Sequence, residues 1–201
     1  NDFILNDINL DVYEGEIVAI LGSSGCGKST LLRLITGLEK LNHGEIEIFG
    51  KTVAKRDFSI PTNHRNVGLV LQEKVLFPHL SVLENVKFGI KGKKIFRTKK
   101  ALDLLNLFRV DQYVHSYPNN ISGGEQQRVA IARAIAPDPQ ILLMDEPFAS
   151  LDEDLRKDLR HETKKILNIN NITCIIVTHD IEDANSMADR IIKLKDGQID
   201  N

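Results

Sequence analysis

The residues Gly22-Ser23-Ser24-Gly25-Cys26-Gly27-Lys28-Ser29-Thr30 follow the spacing Gly-x-x-x-x-Gly-Lys-Ser, which suits a loop that cradles phosphate. Gly22, Gly25 and Gly27 let the backbone turn sharply and approach a ligand closely. Backbone N–H groups then converge on an anion at a helix N-terminus, where the partial positive charge favours it. Lys28 reaches phosphate oxygens as a point charge, and the Ser29 hydroxyl is an oxygen ligand of the kind Mg2+ prefers. Cys26 has two readings: a small residue that fits the loop, or a thiol activated by the helix N-terminus.

Three further groups carry chemistry. Asp145 and Glu146 end an apolar run. Beside a phosphate loop, the first carboxylate would hold Mg2+ and the second would polarise an attacking water; alone, they would merely cap a strand before Pro147. Ser122-Gly123-Gly124-Glu125 opens a helical pattern as a capping box. Two glycines exceed what a cap needs and suit backbone approach to a second anion. Two phosphate-binding helix starts in one chain suggest that two copies share one nucleotide. His179 follows a buried strand, where a histidine is commonly a structural hydrogen-bonding group. Gln72 ends another strand, at the sheet edge where α/β proteins bind ligands.

The elements that position these groups read as alternating strands and helices. Ile17 to Leu21, Val67 to Leu71, Gln140 to Asp145 and Ile172 to Val177 are buried, β-branched or leucine-rich strands. Leu31 to Ile35, Asp154 to Asn168 and about Ile181 to Ala188 read as helices, and Arg190 to Leu194 follows the last of them. The result is a parallel sheet of βαβ units. Phe3 to Val12 is strand-like, Tyr13 to Glu16 a turn, and Gly44 to Gly50 an alternating strand. Lys51 to Arg65 reads as polar and irregular. Ser81 to about Tyr117 is helical, opened by a Ser81/Glu84 capping box and carrying a stripe of Leu102, Leu105 and Phe108. The basic run from Gly89 to Lys100 is either a solvated face or a contact for phosphate or acidic lipid. Both ends look cut from a longer protein.

Composition bounds the class. The 201 residues are 42% hydrophobic and 27% charged, as in a soluble globular domain. A net charge of -2 argues against a broad nucleic-acid footprint. No apolar run reaches the roughly 20 residues of a membrane helix, and there is no signal-peptide pattern. Cys26 and Cys174 give no disulfide framework, and Cys174 reads as core.

Taken as an ordered set, these residues resemble the ATP-binding cassette (ABC) ATPases over essentially the whole chain. Ile121 to Glu125 is similar to the family's Leu-Ser-Gly-Gly-Gln signature, with Ile for Leu and Glu for Gln. Gly22 to Thr30 resembles the Walker A loop, Ile141 to Asp145 the Walker B strand and Ser150-Leu151-Asp152 the D-loop. The resemblance implies a P-loop NTPase core with a mostly parallel sheet flanked by helices, an N-terminal antiparallel β region and an inserted helical subdomain at about 80–135. It implies one nucleotide-binding domain over 1–201, without a C-terminal regulatory domain in this span. Glu146 is then the catalytic glutamate, His179 the switch histidine that meets the γ-phosphate, and Gln72 the Q-loop glutamine that senses Mg2+. ATP and Mg2+ are bound by Gly22 to Thr30, Gln72 and Asp145, and a second copy closes the site with Ser122, Gly123, Gly124 and Glu125. The adenine-stacking aromatic of the family comes from a position before Asn1; Tyr13 and Phe3 stand in the wrong places.

Gln72-Glu73-Lys74-Val75-Leu76-Phe77-Pro78-His79 and Asp145-Glu146-Pro147-Phe148 resemble bacterial importer ATPases for ferric iron, sulfate, polyamines, sugars and molybdate, most of all the ferric-iron branch. That implies ATP hydrolysis coupled to solute uptake at the cytoplasmic face of the membrane. A permease would dock after Gln72, and a solute-binding protein would act indirectly. A soluble ABC ATPase not coupled to transport is the alternative.

Overall fold

The computed structural model describes residues 4–72 and 75–200, so Phe3, Glu73 and Lys74 lie outside the described residues. Its centre is β1 (Ile17–Leu21), whose residues 17–20 are essentially sealed from solvent. It pairs in parallel with β7 (Thr173–Thr178) on one side and β8 (Arg190–Lys195) on the other. The sheet extends through β6 (Ile141–Asp145) to β5 (Val67–Val70), and β9 (Gln198–Asp200) closes the far edge antiparallel to β8.

Successive side chains of a strand point to opposite faces, so an apolar run without alternation demands cover on both. In β6, Leu142 and Met144 enter one core while Ile141 and Leu143 enter the other. Cys174 and Ile176 divide from Ile175 and Val177 in β7 the same way. The first core is closed by α4 (Gly123–Ile135), α5 (Glu153–Ile169) and α6 (Ile181–Met187), together with α2 (Val82–Lys87) and α3 (Lys94–Leu107). The second is closed by α1 (Lys28–Thr36) and a separate antiparallel sheet of β2 (Glu45–Ile48), β3 (Lys51–Lys55) and β4 (Phe58–Ser59).

That small sheet corrects the reading of Lys51 to Arg65 as irregular. β3 hides only Val53 and Ala54, and its register with β2 shifts between Ile46 and Glu47, so no alternation of useful length survives. Buried Arg65 fastens the sheet to α1: its guanidinium donates to the carbonyls of Leu34 and Ile35, both at 2.8 Å, and to Ser59 Oγ. Phe3 to Val12 is corrected in the other direction. Among residues 4–12 no strand forms, although Leu5, Ile8, Leu10 and Val12 pack on the second core. The alternation was set by packing rather than by a ladder. In α3 the buried stripe is Ala101, Leu104, Leu105 and Phe108, whereas Leu102 is exposed, so it is not part of the stripe. Both capping boxes form, at Ser81/Glu84 and Ser122/Glu125. Among the described residues no helix is long and apolar enough to cross a membrane.

Candidate nucleotide site

The ladder registers align the chemistry. Leu21 of β1 is opposite Thr178 of β7, and Val177 is opposite Asp145 of β6. Gly22, Glu146 and His179 therefore leave the sheet side by side at its C-terminal edge. The loop after β1 turns through positive φ at Gly25 (83°) and Gly27 (107°), a region open to glycine, and α1 starts at Lys28. Gly22 is required by space, because a Cβ there would run into the Leu194 backbone carbonyl and lie 2.6 Å from Cys26 Sγ. The Cys26 side chain is 7% exposed and packed in the second core, which favours the small-residue reading over the reactive thiol.

Buried Lys28 bridges the loop, donating from Nζ to the Gly22 carbonyl at 2.7 Å and the Ser23 carbonyl at 2.9 Å. Its Nζ lies 3.9 Å from Glu146 Oε1. Glu146 has a φ of 44°, a costly conformation for a residue with a side chain, and its N–H still bonds the Val177 carbonyl at 2.9 Å. That turn swings the carboxylate out of the strand's alternation and towards His179, whose Nδ1 is 2.8 Å from Glu146 Oε2. An ionised carboxylate only accepts, so Nδ1 carries the proton and donates.

The Ser29 hydroxyl acts on the Asp145 carboxylate. Burial pushes the Asp145 carboxyl above its ordinary range; the Ser29 hydroxyl and Lys28 oppose the shift, and Glu146 adds to it. Ser29 and Asp145 form a pair of hard oxygen donors at the mouth of the loop, a set that fits Mg2+. Because the folded chain holds a proton on Asp145 more firmly than the unfolded one, ligand-free stability falls as pH rises through that carboxyl's raised range. Asp145→Asn removes the loss. Thermal unfolding without nucleotide or metal should show the variant gaining on the parent as pH rises above the ordinary aspartate range, and an unchanged difference across pH would refute it.

Gln72 lies two residues beyond the last β5–β6 ladder pair, Val70 with Met144, and is exposed. Among the described residues no hydrogen bond joins it to Ser29, Asp145 or Glu146. Ser122 caps α4 by accepting from Glu125 N–H, while Glu125 accepts from Ser122 N–H at 2.6 Å. Partial burial pushes the Glu125 carboxyl up, but hydrogen bonds from Tyr113 and Ser122 outweigh this and hold it below its ordinary range. A Cβ on Gly124 would run into the Leu155 side chain of α5, so that glycine answers to packing within this chain. Ser122 is exposed and Gly123 half-buried, and no hydrogen bond or ion pair among the described residues ties Ser122 to Glu125 to the phosphate loop. The first group is assembled in one chain; the second faces outward from it.

Two positioning contacts escaped the sequence. Asp152 caps α5 and Asp180 caps α6. Arg156 spans them, donating to Asp180 Oδ2 at 2.9 Å and to the Leu151 carbonyl at 3.1 Å. The caps were legible as Asp residues ahead of acidic first turns, but nothing in the chain announces an arginine paired with a residue 24 positions away. Tyr13 is exposed at a turn, with Arg190 lying 5.8 Å from its ring centroid.

Comparison with known proteins supports this geometry. The family described as ABC transporter (ABC_tran) matches residues 5–149. The sulfate/thiosulfate import ATP-binding protein CysA of Pseudomonas putida is 45% identical over 203 residues, covering 98% of this chain and 60% of that protein. The Fe(3+) ions import ATP-binding protein FbpC 2 of Haemophilus influenzae is 42% identical over 199 residues, covering 98% of this chain and 56% of that protein. The chain thus spans less than two thirds of these relatives' length. The dimeric structure of a post-hydrolysis state of the ATP-binding cassette MJ0796, bound to ADP and Pi, matches with a TM-score of 0.87 at 38% identity, covering 98% of this chain and 89% of that one.

Proposed function

The chain belongs to the ABC transporter family, and from that premise we propose that it binds and hydrolyses ATP to drive uptake of a small solute. The observation that carries the reading is the Lys28–Glu146–His179 constellation at one edge of the sheet. The loop amides and Lys28 bind the β- and γ-phosphates. Ser29, Asp145 and Gln72 would hold Mg2+, which would supply positive charge to offset that of the phosphates. His179 Nδ1 engages Oε2 of Glu146, leaving Oε1 to orient and accept a proton from the attacking water. Its other ring nitrogen is left for the γ-phosphate.

Residues 1–201 act as one nucleotide-binding unit, in which the helices of about 80–135 form the subdomain that presents Ser122 to Glu125. In a pair of chains, those residues of one copy cap the ATP held by the other. Hydrolysis removes the bridging phosphate and reopens the pair. The docking place for a permease is the segment after Gln72, where Val75 is 49% and Phe88 64% exposed and the tilted rings of Phe77 and Phe88 pack with centroids 4.7 Å apart. On this reading the protein works at the cytoplasmic face of the membrane, with a solute-binding protein acting through the permease. Ferric iron is the solute indicated by the segment from Gln72 to His79. Sulfate or thiosulfate is the competing solute, because a relative named for its import is as similar as one named for Fe(3+) import.

The test is ATP turnover against chain concentration. The rate per chain should rise steeply as pairs form, while ATP binding by the dilute chain persists. Equal turnover per chain at all concentrations would refute the shared site.

A further inference from the structure

Residues 87–100 hold seven basic side chains and no acidic one, whereas the rest of the chain holds 19 basic and 28 acidic. This concentration of charge surrounds the start of α3. The first turn of that helix has no acidic residue, and Lys93 at its N-cap makes no side-chain cap. Cations therefore crowd the positive end of a helix dipole, which is unfavourable unless an external anion offsets it. Part of the set has internal work: Lys100 pairs with Asp138, and Arg97 donates to the Lys87 carbonyl at 3.0 Å. Lys91, Lys93, Lys94 and Lys99 are exposed, and among the described residues none of the four is in an ion pair.

Apolar side chains are set among them. Ile95 is 85% exposed, Phe96 56% and Phe88 64%. The buried side of α3 is Ala101, Leu104, Leu105 and Phe108. At about 100° per residue, Ile95, Phe96 and Lys99 fall on the opposite side. Such a face has no local reason to be apolar. The Arg97–Lys87 bond ties the start of α3 to the end of α2, beside the surface after Gln72.

We propose that the start of α3 and the turn before it, Lys91 to Lys99, dock on the headgroups of an anionic phospholipid bilayer beside the permease. The proposal rests on the importer reading for its orientation. Lysines on flexible stems suit a diffuse anionic surface better than one fixed anion. Ile95 and Phe96 suit the boundary between headgroup and acyl chain, where an apolar side chain is buried while neighbouring lysines stay wet. A nucleic-acid strand would leave Ile95 uncovered, since an aliphatic chain offers no ring for a base.

The experiment is co-sedimentation of the full chain with vesicles of phosphatidylcholine alone or mixed with phosphatidylglycerol, in parallel with ATP binding. Binding is expected only to the mixed vesicles and should be lost in high salt. The triple variant Lys93→Glu, Lys94→Glu, Lys99→Glu should lower partition roughly a hundredfold or more, given the contribution of each lysine near an anionic surface. Ile95→Ser with Phe96→Ser should lower it at least about tenfold. Both variants should bind ATP as the parent does. The proposal is overturned if the parent ignores anionic vesicles, if it binds neutral ones equally, if either variant sediments unchanged, or if single-stranded RNA competes the chain off the vesicles. Loss of ATP binding by the parent would count against the ATPase reading and leave the vesicle result standing.

Discussion

Glu146→Gln is expected to cut ATP hydrolysis roughly a hundred- to ten-thousandfold, the range for loss of a positioned general base, while ATP still binds. The substitution keeps the side chain's shape. An amide oxygen can still accept the His179 Nδ1–H bond that the carboxylate accepts at 2.8 Å. It cannot take a proton from water. It also removes the negative charge 3.9 Å from Lys28 Nζ, which leaves that lysine freer to face phosphate. With closure intact and cleavage blocked, the variant should accumulate as an ATP-bound pair, visible by size-exclusion chromatography with ATP present and dispersed by ADP. Turnover at the parent's rate would remove Glu146 from the mechanism, and failure to pair would remove the shared site.

Glu162→Ala is expected to destabilise the chain by about 3–5 kcal/mol, the cost of leaving a buried charge without its partner. Glu162 of α5 pairs with Arg128 of α4, and these side chains are only 11% and 8% exposed. Arg128 also donates to the Phe108 carbonyl at 3.1 Å, and exposed Arg109 lies 3.0 Å from the second Glu162 oxygen. The pair thus joins α4, which presents Ser122 to Glu125, to the helix capped by Asp152. Removing the carboxylate strands a guanidinium between two helices. Urea unfolding should show the loss at an unchanged slope. Arg128→Met with Glu162→Leu should recover most of it, because apolar packing replaces a buried ion pair at little net cost. A single variant as stable as the parent would mean that the pair is solvated.

Local chemistry was legible wherever one short segment states both a geometry and its own reason. The phosphate loop carries glycine, lysine and serine at the needed intervals between a strand and a helix. Ser81/Glu84 and Ser122/Glu125 each close their capping boxes within four residues. Strands buried on both faces announce themselves as unbroken apolar runs, as in Ile141 to Met144. Weak local signals failed. β3 offers two buried residues beside a register shift, and the alternation from Leu5 to Val12 records packing against a core without any partner strand.

The chain order of residues therefore specified the kinds of group at the site and the elements that carry them, because loops, caps and buried strands are settled by neighbours a few positions away. It did not specify which groups meet. Glu146 and His179 are 33 residues apart, Arg128 and Glu162 are 34 apart, and Arg156 reaches 24 residues to Asp180. Those pairings depend on the order and register of β1, β6 and β7 and on how α4 and α5 pack, which fold topology sets through contacts that no local window contains. The same holds for Gly124. Its glycine reads in the chain as room for an anion, and in the fold it is also room for Leu155.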